Sequence, residues 1–181
     1  MSRLLFRLTT SAVLAAGCHT DETCGIGAAA DSIPLTGSGL TVTYDTFAGG
    51  ANNDCPDPNA PAGVVSITIE AKQSGGTPAD FLTLCIPRID ELSQGGAFGG
   101  PTSGDVRFID VDGTSGNCTI SLDATTAPTG TASASGVCAN GTDSRGFALT
   151  LDGTISVEKN CAGAIELTTM TVSGTVAVLP Q

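Results

Sequence analysis

Two aspartates and an asparagine come close together in the segment DVDGTSGN at residues 110–117. Oxygen ligands two residues apart, followed by a glycine turn, can wrap Ca²⁺, and calcium outside the cytoplasm is abundant enough to fill weak sites. Asp110, Asp112 and Asn117 are therefore the candidate metal ligands. The segment lacks the third ligand and the bidentate glutamate of an EF-hand, and a strand that ends in a polar turn has the same composition. Residues 52–57 form a weaker acidic cluster of the same kind.

Residues suited to catalysis are few. The single histidine, His19, lies near the N-terminus and far from any rigid pocket, so we expect neither a Ser-His-Asp nor a Cys-His arrangement. The pairs Asp110 with Asp112 and Asp90 with Glu91 have the residue types for general acid and base catalysis. Acidic residues at strand ends and in loops are usually solvated. We expect no enzyme, and a carboxylate-based hydrolase ranks third among the functions considered.

Aromatic platforms for carbohydrate are also scarce. The chain has no Trp, one Tyr and six Phe. Tyr44 alternates with apolar neighbours, which predicts that it points into the core. Phe47 and Phe98 are the candidates for exposed rings, although anchoring of their loops against the core is the favoured interpretation. A calcium-dependent ligand-binding or glycan-binding module that uses residues 110–117 is thus the alternative function.

The N-terminus has the pattern of an export signal. Arg3 and Arg7 form a positive region, residues 8–16 are uncharged and mainly apolar, and two small residues precede Cys18. The segment LAAGC at residues 14–18 resembles a bacterial lipobox, the site where a signal peptidase cuts before a lipid-modified cysteine. The resemblance covers residues 1–18 only. It implies removal of residues 1–17, a thioether lipid and palmitate-type acylation at Cys18, and attachment to the cell membrane or the outer membrane, facing the periplasm or the cell exterior.

Charge narrows the list of partners. The chain has 7 Lys+Arg and 18 Asp+Glu, a formal net charge of −11, which becomes −13 once Arg3 and Arg7 leave with the signal. Such acidity excludes the basic footprint of a nucleic-acid-binding protein. It also opposes docking on anionic lipid, so attachment to the membrane depends on the acyl chains. No later stretch approaches the roughly 20 apolar residues of a membrane-spanning helix. An envelope protein partner is the interaction left open.

Cysteine usage agrees with an exported chain. Apart from Cys18 there are six cysteines, an even number that suggests three disulfides formed on the oxidising side of a membrane. Cys118 and Cys138 lie equally far from Pro128, at the centre of a turn-rich segment between two strand-like runs, residues 118–124 and 131–138. A hairpin there predicts a Cys118–Cys138 disulfide. The sequence favours no single pairing among Cys24, Cys55, Cys85 and Cys161.

Alternating apolar residues dominate the mature chain. Leu40, Val42 and Tyr44 begin the series, and a hairpin is predicted from the runs at residues 64–71 and 80–86. One short helical turn is expected at residues 88–94. Asp152-Gly153 predicts a hairpin turn, and a change of phase between Leu167 and Met170 predicts a bulge near Thr168.

About nine strands at this spacing predict an all-β fold, an antiparallel β-sandwich stabilised by disulfides. A closed barrel stays possible because periodicity does not reveal whether the strand edges meet. Residues 1–17 are assigned to the signal peptide, 18–36 to a lipidated leader and 37–181 to a single domain. The expected function is that of a lipid-anchored, non-catalytic binding or accessory module of the cell envelope.

Overall fold

The computed structural model describes residues 32–52, 55, 66–140 and 144–178. These ranges contain no α-helix, and one short 3-10 helix covers Ile89–Gln94. The ten strands are β1 (Ile33–Gly37), β2 (Leu40–Asn52), β3 (Ser66–Gln73), β4 (Phe81–Ile86), β5 (Gly96–Gly99), β6 (Val106–Ser115), β7 (Cys118–Leu122), β8 (Thr129–Asn140), β9 (Ser144–Cys161) and β10 (Ala164–Val178). The prediction of an all-β, disulfide-stabilised domain is confirmed.

All ten strands belong to one mixed sheet in the order β10-β1-β2-β3-β4-β6-β5-β8-β9-β7. The pairs are antiparallel except for a short parallel contact between β5 and β6. Two further pairings, β10 with β9 and β6 with β7, connect strands that are separated in this order. The strands β1, β2, β3, β4, β6, β7, β9 and β10 are therefore paired in a closed circuit, in which the last strand, β10, pairs again with β1.

Alternate residues of the strands build the core. The largest fully buried side chains are Tyr44, Phe108 and Phe147, surrounded by Ile, Leu and Val. The predicted hairpin of β3 and β4 is confirmed, since Ile67 lies opposite Ile86 and Ile69 lies opposite Leu84. The predicted inward direction of Tyr44 is confirmed as well. Burial of such apolar surface is the main stabilising contribution to the fold.

The sheet begins earlier than the sequence predicts. Ile33 and Leu35 are fully buried in β1, which pairs with both β2 and β10. The boundary at residue 37 is therefore wrong by four residues, because the leader assigned to residues 18–36 ends in a strand of the core. Pro34 is paired with Thr43 of β2 but has no register partner in β10, between the Ser32 bridge and Leu35, which fits a residue that cannot donate a ladder hydrogen bond.

β9 is one uninterrupted strand of 18 residues. The predicted turn at Asp152-Gly153 is wrong, because both residues pair in register with β8 and with β10. The inward positions Phe147, Leu149 and Leu151 and the inward positions Ile155 and Val157 share one phase. Because the inward positions before and after Asp152-Gly153 continue the same alternation, the two segments form a single longer strand. Gly153 occupies one of its inward positions.

The hairpin predicted to bring Cys118 and Cys138 together is wrong. β7 and β8 do not pair with each other: β8 pairs with the first part of β9 and β7 pairs with its last part. Cys118 lies opposite Cys161 in that pairing, and the two form a disulfide with a Cα–Cα distance of 4.2 Å. A second disulfide joins Cys55 to Cys85 of β4. The Cys118–Cys138 disulfide is thereby corrected to Cys118–Cys161.

β10 pairs with β9 without any register shift from residue 164 to residue 178. The predicted bulge near Thr168 is therefore wrong. Met170, Val172 and Val176 point into the core, and the same alternation turns Ile165 and Leu167 outward. The change of phase in the sequence thus has another cause. The apolar residues face outward at the start of β10 and inward in the rest of the strand.

Candidate functional site

The predicted calcium ligands lie on a paired strand instead of a loop. β6 continues to Ser115, so Asp110 lies opposite Thr83 of β4 and Asp112 lies opposite Ser121 of β7. Asn117 is in the turn between β6 and β7. The predicted ligand loop at residues 110–117 is wrong in its backbone, because buried Val111 and Gly113 carry the strand through it. In the ranges that the structure describes, no group of three or more Asp, Glu, His or Cys is placed to hold a metal ion.

Asp110 and Asp112 are nevertheless close enough to interact. Burial raises the pKa of the Asp112 carboxyl above its ordinary value, and the charge of Asp110, a hydrogen bond with Asp110 and the charge of Asp80 raise it further. Two neighbouring carboxylates on one strand disfavour each other's ionised form. Asp112 therefore holds a proton more readily than an isolated aspartate does.

Beneath this pair, Tyr44 links β2 to β6. Its side chain is fully buried, and its hydroxyl donates a hydrogen bond of 2.7 Å to the backbone oxygen of Asp112. Burial, followed by the charges of Asp112, Asp80 and Asp110, raises the pKa of Tyr44 well above its ordinary value. The phenol therefore stays protonated and serves as a structural donor.

Thr114 is held from two sides by the turn between β3 and β4. Its backbone N–H donates to Gln73 Oε1 at 2.7 Å, and its backbone oxygen accepts from Gln73 Nε2 at 2.5 Å. Its hydroxyl donates to Asp80 Oδ2 at 2.9 Å, and the same oxygen accepts from the N–H of Thr77 at 2.6 Å. Asp80 is 6% exposed. These carboxylate and amide groups fasten the turn to β6, which is a structural task.

Gly113 completes this arrangement. A Cβ atom at this position would lie 2.7 Å from Val42 Cγ1 and 3.1 Å from Tyr44 Oη. Contacts this short require the neighbouring side chains to move. The Asp112-Gly113 pair, which the sequence predicts to be a turn, thus marks close packing over Tyr44.

A cavity of about 240 Å³ lies at the end of β4, lined by Pro87, Arg88, Glu91, Gly104, Asp105 and Arg107. Arg88 Nη1 contacts Glu91 Oε1 at 3.1 Å, and Arg107 Nε donates to the Gly104 oxygen at 3.3 Å. Asp105 Oδ2 accepts from the N–H of Ala97 at 2.8 Å. Guanidinium groups bind carboxylates and phosphates well, but here two cations share the cavity with two carboxylates. The charge of the lining is balanced from within the chain.

Sequence reasoning missed this cavity because its arginines are 19 residues apart in sequence. β4 and β6 bring them together, with Arg107 opposite Cys85 in register and Arg88 just after β4. The sequence feature that could have indicated the cavity is the small number of basic residues. The chain has only 7 Lys+Arg, and two of them line this one cavity.

Two large apolar side chains stand out on the surface of β10. Ile165 is 62% exposed and Leu167 is 65% exposed. They lie opposite Asn160 and Glu158 of β9, near the Ala162-Gly163 turn that joins β9 to β10. We call Ile165 and Leu167 the apolar pair. Single exposed apolar residues are common, but two adjacent ones on the same face of a strand make a small adhesive patch.

The candidate aromatic platforms do not form one. Phe98 is 6% exposed, and its ring packs edge-on against Phe108 with centroids 5.1 Å apart. Phe47 is partly buried and packs against the core. The interpretation of Phe98 as an anchor for its segment is therefore confirmed.

Several predicted residues lie outside the part of the chain that the structure describes. They are Cys18, His19 and Cys24 in the leader, Asn53, Asp54 and Asp57 in the acidic cluster, and the side chains of Asp90 and Cys138. Glu91, the predicted partner of Asp90, contacts Arg88.

Comparison of the chain with models of protein families, with curated proteins and with solved structures found no match. Across the described ranges, no helix is long and apolar enough to cross a membrane.

Proposed function

We propose that this chain is a lipid-anchored protein of the bacterial cell envelope that acts without catalysis, as a binding or accessory module. The observation that carries the proposal is the pair of disulfides, Cys55–Cys85 and Cys118–Cys161, in one domain. Disulfides form and persist in oxidising compartments outside the cytoplasm. The export signal and the lipobox-like LAAGC segment supply the address that such chemistry requires.

The chemistry of the described surface also supports a binding role. Asp80, near Tyr44, accepts hydrogen bonds that fasten the β3–β4 turn to β6, and the arginines of the cavity are balanced by Glu91 and Asp105. Among the described residues, the large apolar side chains with the greatest exposure are those of the apolar pair on β10. Exposed apolar groups serve recognition, whereas reaction chemistry needs positioned polar groups.

Lipid attachment is tested by Cys18→Ala in the full chain, with Thr20→Ser as the matched control. Wild type and the control are expected in the membrane fraction, with an intact mass that lacks residues 1–17 and includes acyl chains. Cys18→Ala is expected to lose both the acyl mass and the cleavage, because the cysteine thiol carries the lipid. Wild-type protein without acyl chains would contradict the proposal.

The binding role is tested by crosslinking the lipidated protein in living cells. A stoichiometric envelope protein is the expected product. A lipidated protein that crosslinks to nothing, yet is required for turnover of an envelope substrate, would contradict a non-catalytic module.

A further inference from the structure

β10 has one long side that is covered and one that is not. β9 pairs with β10 over its whole length, from residue 164 to residue 178. On the opposite side, β1 and its flanking residue cover only residues 171–175 of β10. Ser32 bridges to Thr175 at one end of this range, and Thr36 pairs with Thr171 at the other. Gly37 then lies against Thr169 and Met170, and the Ser38 hydroxyl contacts the hydroxyl of Thr168. Among the described residues, none pairs with residues 164–167 on this side.

The backbone groups at this open edge belong to the apolar pair. The Thr169 carbonyl oxygen points toward β1, since it lies 2.7 Å from the position of a Cβ on Gly37. Backbone N–H and C=O groups alternate sides along a strand, so those of Leu167 and Ile165 point the same way. An edge of this kind can add one more strand through main-chain hydrogen bonds.

The side chains at the edge match the backbone. Ile165 and Leu167 occupy alternate positions of β10, and both point outward with more than half of their surface exposed. In strand addition, main-chain hydrogen bonds supply affinity and alternate side chains supply specificity. We propose that residues 164–167 are a docking edge that receives an extended strand of a partner protein, with apolar side chains at alternate positions and basic side chains between them.

The basic character of the partner strand follows from charge. Exposed Glu158 lies directly opposite Leu167, and exposed Glu166 lies between the two members of the apolar pair. Glu158 belongs to β9, on the covered side of β10, whereas Glu166 is on the edge strand itself. Lys159 contacts Glu166 at 2.8 Å from the β9 side, and the Glu166 side chain stays 59% exposed, so Glu166 is the carboxylate that a basic side chain of an incoming strand would meet. A second copy of this chain would bring an equally acidic surface, since the net charge is −11. Like charges across a pairing edge destabilise it.

The membrane is a poor occupant of the same edge, an argument that rests on the lipid anchor of the proposed function. The chain enters the sheet at Ser32, opposite Thr175. Ile165 lies ten residues from Thr175 along β10, about 33 Å away at the rise of a strand. The apolar pair therefore lies near the opposite end of β10 from Thr175, where the leader joins the sheet. That end is the one available to another protein.

The test uses the full-length lipidated protein in detergent micelles and a synthetic peptide, acetyl-Thr-Val-Lys-Val-Thr-Ile-Lys-amide. Hydrogen exchange at residue resolution is measured with and without the peptide. We expect the peptide to slow exchange at the amides of Ile165 and Leu167, and to leave the amides already paired with β9 unchanged. The double variant Ile165→Thr/Leu167→Thr is expected to weaken peptide binding by about tenfold or more, because it removes two apolar contacts and keeps strand-forming residues.

Ile109→Thr is the matched control, since Ile109 is also exposed but lies on β6. It is expected to bind the peptide as wild type does. A second peptide with Glu in place of Lys is expected to bind more weakly than the first. Equal binding of both peptides would overturn the charge argument, and protection at other amides or at none would overturn the docking edge.

Two further outcomes assign the edge to another occupant and also overturn the proposal. One is a concentration-dependent dimer of the protein alone that the double variant abolishes. The other is protection of Ile165 and Leu167 by phosphatidylglycerol vesicles in the absence of peptide. If the protein proves to be unlipidated but its edge binds the peptide, the lipid anchor is contradicted and the docking edge is supported. If the protein is lipidated but its edge does not bind the peptide, the docking edge is contradicted and the lipid anchor is supported.

Discussion

The ring of Phe98 lies over two glycines that face each other across β8 and β9. Gly130 and Gly153 are register partners, and a Cβ at either position would fall within 3 Å of the Phe98 ring. Glycine inside a strand gives the sheet no side chain to pack. The ring of Phe98 covers this gap and extends the packing to Phe108.

Gly153→Ala is expected to lower the free energy of unfolding by about 1–3 kcal/mol, the usual effect of overpacking. The added Cβ would lie 2.4 Å from the Thr129 oxygen and 2.6 Å from Phe98 Cε2. Urea unfolding with the disulfides intact measures the loss. Gly100→Ala is the control, because a Cβ there meets nothing within 4 Å. Equal losses in the two variants would contradict the packing argument.

Asp123 fastens the segment between β7 and β8 to β9. Its carboxylate accepts from the hydroxyl of Thr125 at 2.5 Å and from the N–H of Thr125 at 2.9 Å. Ser156 of β9 donates to the other oxygen at 2.9 Å. The hydroxyl of Thr125, its N–H and the hydroxyls of Thr126 and Ser156 lower the pKa of Asp123 far below its ordinary value. Hydrogen bonds to the ionised form are the cause.

This lowered pKa makes the contribution of Asp123 depend on pH. The ionised form stabilises the fold fully above the unfolded pKa of about 3.9, and the contribution is lost as the pH falls from there through the folded value. Asp123→Asn is expected to lower the melting temperature by several degrees at pH 7 and by progressively less below about pH 4. Exposed Asp152→Asn is the control. A difference from wild type that stays constant down to about pH 2 would contradict this account.

At the residue scale, the sequence identified Tyr44 as a core residue but misassigned the aspartates around it. Alternation with Val42 and Leu40 is a local signal, and local signals were sufficient for Tyr44. The role of Gly113 depends on Val42 and Tyr44, which are about seventy residues away in the chain. No spacing rule within residues 110–117 contains that contact.

At the scale of elements, apolar alternation predicts strands well and their partners poorly. The β3–β4 hairpin was predictable because one short turn joins two runs of matching phase. β7 and β8 have the same appearance in sequence, yet both align with β9. An 18-residue strand can accept two shorter strands end to end, and that preference arises from long-range pairing. The equal distances of Cys118 and Cys138 from Pro128 therefore carried no information on pairing.

β5 is a strand that the sequence does not predict at all. Its residues, Gly96–Gly99, lie in a glycine-rich segment that the sequence assigns to a loop. Its pairing with β6 and β8 is the link between those strands, and Phe98 supplies its packing. Low intrinsic preference for a strand is overridden here by a single buried aromatic side chain.

At the scale of the whole molecule, pairing around the sheet leaves few open edges. The circuit through β1, β4, β6, β9 and β10 covers most strands on both sides. Edges left open invite other strands, and proteins usually shorten or charge them. Residues 164–167 are open on one side and carry two exposed apolar side chains with Glu166 between them, which is why they carry the docking proposal.

The disulfides show how far local chemistry predicts the whole chain. The even count of cysteines beyond Cys18 predicts three disulfides, and the structure contains Cys55–Cys85 and Cys118–Cys161. Each joins segments that are 30 or 43 residues apart in sequence. Closing loops of this length restricts the unfolded chain and stabilises the fold. Which cysteines meet follows from strand register, as Cys118 opposite Cys161 illustrates.

By elimination, Cys24 and Cys138 are left to form the third disulfide. We expect a peptide map of the lipidated protein without reductant to contain a linked pair of peptides that carry these two cysteines, and thiol labelling under denaturation to find no free cysteine. The reason is the oxidising compartment, in which an unpaired thiol seldom persists. Cys18→Ala serves as the control, because it removes the one cysteine reserved for lipid and should leave the third disulfide unchanged. A bridge from Cys18 to Cys24 or Cys138 would contradict both this pairing and the lipid anchor, since a thioether-linked cysteine cannot form a disulfide.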